Sequence, residues 1–139
     1  MKLAIFSLLF FLSAKGYSAE NICQYFAQDK KVHCGQFDGA SCMYSNYESK
    51  IYCGAGCKLI DQDKKVYCSS IEGGTCTYFS EDKSVHCGIG CKYYYEDKQI
   101  HCANIKGATC KYFMEVSKVR CGIDCKYFSE DGAIHCGGE

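Results

Sequence analysis

The sequence has no proline and no tryptophan, and its formal charge at neutral pH is zero, with sixteen basic and sixteen acidic residues. Without proline, which cannot donate to a strand ladder, one barrier to continuous strand pairing is gone. The charge balance leaves no basic excess to hold nucleic acid or an anionic membrane, and the interspersed charges read as a solvated surface. The apolar run Leu3–Leu12 is roughly half the ~20 residues a membrane helix needs. Zinc-knuckle C-x-x-C, the D-x-D-x-D-G calcium pattern, G-x-S-x-G and the P-loop are all missing. No amphipathic helix of useful length follows the first two dozen residues.

Cysteine is what the chain has in excess, fourteen in all. Every one belongs to a unit of the form of Cys76–Cys87, CTYFSEDKSVHC, with ten residues between its two cysteines. Seven units follow one another: Cys23–Cys34, Cys42–Cys53, Cys57–Cys68, Cys76–Cys87, Cys91–Cys102, Cys110–Cys121 and Cys125–Cys136. The gaps between them alternate, seven residues and then three, which gives a super-repeat of 34 residues from Cys23 to Cys57, Cys91 and Cys125. Self-similarity at a fixed period decides the fold before any local detail does.

Each unit predicts a β-hairpin. An aromatic arm (Tyr78–Phe79), a polar middle (Ser80–Lys83) and a β-branched arm (Val85) form the hairpin pattern. With Glu81–Asp82 at the tip, Phe79 faces Ser84, Tyr78 faces Val85, Thr77 faces His86 and Cys76 faces Cys87. Side chains alternate between faces, so the cysteines, Tyr78 and Val85 share one face, and Thr77, Phe79 and His86 the other. The Val85 position is β-branched in every unit, whereas the His86 position holds His, Tyr or Arg. The Cys/Tyr/Val face is therefore expected to point inward. The fold class is all-β: a tandem array of seven hairpins, about fourteen short strands, solenoid-like or meandering. The three-residue linkers Gly54–Gly56, Gly88–Gly90 and Gly122–Asp124 are expected as tight turns.

Residues 1–19 read as a secretory leader, with Lys2 before the apolar run and cleavage near Ser18 or Ala19. Removal takes Lys2 and Lys15 but no acidic residue, so the mature charge is near −2. Residues 20–139 form the repeat domain, secreted or periplasmic, with no membrane span. An even cysteine count in an exported chain indicates a disulfide scaffold. The simplest connectivity closes each unit: Cys23–Cys34, Cys42–Cys53, Cys57–Cys68, Cys76–Cys87, Cys91–Cys102, Cys110–Cys121 and Cys125–Cys136. A connectivity shifted by one, beginning Cys34–Cys42, would leave Cys23 and Cys136 to pair only in a closed ring.

Three sets of residues are candidates for chemistry. His33, His86, His101 and His135 each precede a cysteine, which raises a zinc or copper site. Neighbours in a strand point to opposite faces, however, so the His of a unit fills a cross-strand slot opposite Thr or Lys on this reading. The carboxylates Glu81–Asp82, Glu96–Asp97 and Glu130–Asp131 read as polar turns, because exposed tips do not split two acid pKa values. Phe26, Phe79, Tyr94, Phe113 and Phe128 lie on the face away from the cysteines, beside Lys92, Lys111 and Lys126. If exposed, this row is a possible binding face for a protein or glycan; otherwise neighbouring units cover it. Nothing outside the repeat forms a unique catalytic constellation, so the reading is non-enzymatic and needs no cofactor. A small secreted effector, inhibitor or toxin-like, is the alternative, and metal binding by the histidine row a third.

The segments Asp63–Gly88 and Asp97–Phe113 resemble the DKNYY-type repeats of exported bacterial proteins. Asp63–Lys64, Val66–Tyr67, Ile71 and Gly73 match that pattern, as do Asp97–Lys98, Ile100, Ile105, Gly107 and Ala108. Cysteine stands where the pattern has its second tyrosine. The resemblance implies an exported bacterial repeat protein and carries no activity with it. Units 2 and 6 depart from the consensus: Ser45, Tyr47 and Glu48 in the one, Val116 and Ser117 in the other.

Overall fold

The computed structural model describes residues 22–137; the expected leader over residues 1–19 lies outside the described residues. All regular structure among these is β: β1 (Cys23–Phe26), β2 (Lys31–Cys34), β3 (Ala40–Ser45), β4 (Lys50–Ile60), β5 (Lys65–Ser69), β6 (Thr75–Phe79), β7 (Ser84–Tyr94), β8 (Gln99–Ala103), β9 (Thr109–Phe113), β10 (Lys118–Phe128) and β11 (Ala133–Gly137). They form the two-stranded sheet β1-β2 and three antiparallel three-stranded sheets, β3-β4-β5, β6-β7-β8 and β9-β10-β11. The register within the fourth unit pairs Cys76 with Cys87, Thr77 with His86, Tyr78 with Val85 and Phe79 with Ser84, as the alternation predicts.

Each unit is closed by its own disulfide, and no cysteine is free. The bonded residues face each other with Cα atoms 4.0–4.1 Å apart, the close spacing of a non-hydrogen-bonded antiparallel pair.

Among the described residues the strands number eleven, not about fourteen, and the reason is chemical. The three-residue linkers are not turns. They continue the strand, so β4, β7 and β10 each serve two units. In each, a bulge sets two residues against one: Gly56 and Cys57 oppose Cys68, Gly90 and Cys91 oppose Cys102, and Asp124 and Cys125 oppose Cys136. The first residue of each bulge is left-handed, with φ of 53°, 57° and 48° at Gly56, Gly90 and Asp124. Glycine, or aspartate at lesser ease, adopts that conformation, and a bulge there bends the strand sharply. The seven-residue linkers do turn. Phe37–Ala40, Ile71–Gly74 and Ile105–Ala108 are closed by backbone hydrogen bonds of 2.9–3.2 Å, with left-handed Gly39, Gly73 and Gly107 at the third position, the type II pattern. The alternating gap in the sequence thus separates joints inside a sheet from joints between sheets.

The units stack front to back, where the front carries the disulfide, the Tyr78-type and Val85-type residues, and the back carries the Phe79-type and His86-type residues. Gly54, Gly88 and Gly122 lie on the backs of units 2, 4 and 6. A Cβ there would sit 2.5–2.7 Å from Cβ of Cys68, Cys102 and Cys136, on the front of the following unit. Between sheets, the hydroxyl of Tyr94 on the back of unit 5 donates to the carbonyl of Cys110 on the front of unit 6, at 2.6 Å.

This stacking corrects the expected orientation. The Cys/Tyr/Val face is not the single inward face, because every internal front meets a back. The buried set draws from both: Val66 and Cys76 from fronts, Phe26, Ser45, Ile60, Tyr94 and Phe113 from backs, with Ala40, Ala55, Ser69, Ala103 and Ala108 at the joints. Most of these are small, and no single deep core exists. In the chain-entropy model each disulfide contributes about 3 kcal/mol at this loop length, so the cross-links dominate. Complete reduction is expected to abolish strand circular dichroism; a reduced chain that keeps its spectrum would contradict this.

The joints give a sharper expectation. Gly122→Ala drives a Cβ into the Cys125–Cys136 disulfide and is expected to cost about 2–3 kcal/mol. Gly90→Asp, at the position where unit 7 already carries left-handed Asp124, is expected to cost about 1 kcal/mol or less. Thermal melts of the oxidised variants compare the two, and equal losses would refute the stacking contact.

Candidate functional site

Among the described residues the hairpin tips carry a repeated side-chain constellation besides the disulfides. Every hairpin loop has four residues, between pairs such as Phe79–Ser84 and Tyr94–Gln99. The last of the four is left-handed in all seven: Lys30, Ser49, Lys64, Lys83, Lys98, Ser117 and Gly132, with φ from 50° to 65°. Aspartate in the place before it stabilises the turn. Its Oδ1 accepts the backbone N–H two residues on, at 2.9–3.1 Å, in Asp29–Lys31, Asp63–Lys65, Asp82–Ser84, Asp97–Gln99 and Asp131–Ala133. Such Asx turns are the usual reason for aspartate in loops.

The second oxygen of the same carboxylate reaches along the returning strand. Oδ2 meets His Nε2 at 2.5–2.6 Å in Asp29–His33, Asp82–His86, Asp97–His101 and Asp131–His135, and in unit 3 it accepts from the Tyr67 hydroxyl at 2.5 Å. Each imidazole then stands edge-on to the aromatic ring of the first arm. Centroids lie 5.5–5.7 Å apart in Phe26–His33, Phe79–His86, Tyr94–His101 and Phe128–His135, a favourable aromatic geometry. Turn, returning strand and leading strand are thereby tied at each tip.

These contacts shift the acids. The His33, Tyr67, His86 and His135 hydrogen bonds hold Asp29, Asp63, Asp82 and Asp131 below the ordinary 3.8. Partial burial raises Asp97, but its hydrogen bonds to His101 and the Gln99 N–H outweigh that and leave it lowered as well. Asp63 in turn raises the Tyr67 phenol, and Glu48 raises Tyr52.

The constellation does not form a catalytic triad. Ser84 Oγ lies 2.8 Å from both His86 Nε2 and Asp82 Oδ2. A relay needs the carboxylate on the ring nitrogen opposite the one that faces the hydroxyl, and here both sit on Nε2. Lys31, Gln99 and Ala133 replace the serine in the other histidine units. The four histidines are each held by the aspartate of their own unit and do not converge; among the described residues no three His, Cys, Asp or Glu side chains are grouped to hold a metal.

The expected slot opposite Thr or Lys does not include the aspartate link. That cross-strand placement holds for His86 opposite Thr77, His101 opposite Lys92 and His135 opposite Lys126, whereas His33 is opposite Gln24, and the aspartate is the partner it omits. A signal was present. His or Tyr stands four residues after every Asp of this position, unit 2 pairs Glu48 with Tyr52, and unit 6 loses both members at once, to Val116 and Arg120.

The row Phe26, Phe79, Tyr94, Phe113 and Phe128 is not an exposed face. Phe26, Tyr94 and Phe113 are buried and Phe79 is half-buried, each covered by the front of the next unit; Phe128, with no following unit among the described residues, is exposed. The accessible apolar residues lie elsewhere. Tyr95 and Met114 are each 80 % exposed at the first loop position of units 5 and 6, and Tyr47 projects from the loop of unit 2. Open grooves run between successive units at this end of the molecule. One is lined by Tyr93, Tyr95, Lys92 and Tyr112, the next by Tyr112, Met114, Lys126 and Tyr127. Lys92 and Lys111 lie over the Tyr94 and Phe113 rings at 5.5 and 5.1 Å, within cation–π range. Comparison with protein-family models, curated proteins and solved structures gives no match.

The lowered acids fix a pH dependence. A native carboxylate with a depressed pKa binds fewer protons than the unfolded one near its ordinary value. Its contribution is therefore complete above about pH 3.8 and is lost as pH falls through the folded value. Melting temperature of the oxidised protein is expected to fall on acidification below pH 3.8. A double variant Asp82→Asn, Asp97→Asn, which keeps the turn acceptor and loses the charge, should fall less steeply. Identical slopes would show that the tips do not contribute.

Proposed function

We propose that this is an exported, non-enzymatic binding module that holds an extended glycan across the grooves of units 5 to 7. The single observation that carries the reading is the pair Tyr95 and Met114. Both are large, 80 % exposed and set at the same repeat position on neighbouring units; Tyr95 stands edge-on to Tyr93 at 5.0 Å, and neither side chain closes the turn or belongs to the buried set. Exposed apolar residues in register mark an interaction surface. The grooves beside them offer Tyr93, Tyr112 and Tyr127, whose flat rings suit stacking on sugars, with Lys92, Lys111 and Lys126 to bond hydroxyls. A polymer can follow a site repeated at every joint, and affinity is then distributed along it.

Every hairpin loop is equally short, so no one loop stands proud as the reactive loop of an inhibitor would; this favours the module over a toxin-like effector. Seven disulfides are typical of a chain matured in an oxidising compartment. The leader at residues 1–19, removed near Ser18 or Ala19, and the likeness to DKNYY-type repeats support a secreted or periplasmic location.

Co-sedimentation of the oxidised protein with insoluble peptidoglycan, chitin and cellulose tests the reading. Retention on at least one is expected, and Tyr95→Ala and Tyr112→Ala should each weaken it about tenfold. A protein that stays in the supernatant with all three, or variants that bind as the parent does, would sink it.

A further inference from the structure

The stack has two unlike ends, and each keeps the chemistry of a buried surface. Inside the array every back is covered by the next front. The front of unit 1 and the back of unit 7 have no such cover among the described residues. On the first, Tyr25 is 59 % and Val32 61 % exposed, against 38 % for Leu59 and 4 % for Val66 at the same positions of unit 3. On the second, Phe128 is 44 % exposed against 4 % for Phe113 and 8 % for Tyr94. The His135 side chain is likewise 59 % exposed, against 25 % for His101.

Solenoid proteins commonly finish in terminal repeats with a polar outer face. Neither end does so here: unit 1 keeps the disulfide, tyrosine and valine of an internal front, and unit 7 keeps the phenylalanine, histidine and aspartate of an internal back. The two faces are complementary in a definite sense, because front on back is the contact that successive units of this chain already make.

We infer that copies of the protein associate head to tail, the front of unit 1 in one copy seated on the back of unit 7 in the next. The inference does not rest on the glycan reading. Such a contact is heterologous, so it extends the stack from copy to copy instead of closing a two-fold dimer. One hairpin face is a small interface, which puts the association among weak, concentration-driven contacts.

Sedimentation velocity of the oxidised, exported chain from roughly 1 μM to 1 mM tests it. The parent is expected to grow past a dimer as concentration rises. Tyr25→Asp blocks the front and Phe128→Asp the back; both residues are exposed, so folding is retained, and intact mass verifies the seven disulfides. Each variant alone should remain at the mass of one chain, because it has lost one of the two faces a contact needs. Mixed in equal amounts, the two should form a species of twice that mass and stop there, since the pair retains one intact front and one intact back. A parent that stays at one chain throughout overturns the inference. So does a mixture that does not associate, or a Phe128→Asp protein that dimerises with itself, which would mean front against front.

Discussion

The structure depends on a cross-link between residues that face each other directly. A disulfide between opposed positions of an antiparallel pair fixes the register of that pair, and with a side-chain period of two it also fixes which residues share each face. Short two-stranded hairpins are otherwise marginal in water. Once Cys76 faces Cys87, Tyr78 must face Val85 and Thr77 must face His86. Front and back are then settled in every unit, and stacking needs only that a front fit a back. The glycines after the second cysteine of units 2, 4 and 6 provide the fit, because any side chain there would occupy the space of the next disulfide.

Five of the seven hairpins are fastened twice. In each of them the disulfide closes the base, and the aspartate that shapes the turn also holds the histidine or tyrosine of the returning strand near the tip. The two fastenings divide the task that a hydrophobic core performs in larger domains. With so few large buried side chains, and with alanine and serine at the joints, the array draws its order from covalent links and short polar bonds. This accounts for a repeat that varies widely in its exposed residues, not at all in cysteine or the β-branched position, and in two of seven units at the turn aspartate.

Much of this was legible in the sequence, for a specific reason. Cysteine spacing is a discrete signal, and an invariant ten-residue interval leaves one simple hairpin register. The super-repeat of 34 residues likewise announced two kinds of joint. Their geometry was harder to read, since Gly54–Gly56 looks the same whether it turns the chain or bulges a strand; the difference lies in whether Ala55 pairs on both edges, as it does with Ala40 and Ser69. Orientation failed because a periodicity of two separates two faces without saying how many neighbours each has. The expectation of one inward face suits a single sheet over a core. In a front-to-back stack the burial of Phe26 and Phe113 follows from position in the array, not from residue type.

Unit 6 shows what the tips are free to do. It lacks the aspartate and the histidine, yet keeps the four-residue loop, the left-handed Ser117 and the register Phe113–Lys118. A backbone bond from Ser117 N–H to the Met114 carbonyl closes its turn, and Lys111 lies over the Phe113 ring. A disulfide and a backbone-closed turn are thus enough to define a hairpin without the aspartate, and the side chains of the tip are released from that duty. The side chains of Met114, Tyr95 and Tyr47 therefore serve neither turn closure nor core packing. They are gathered at the part of each unit that the scaffold leaves free to change.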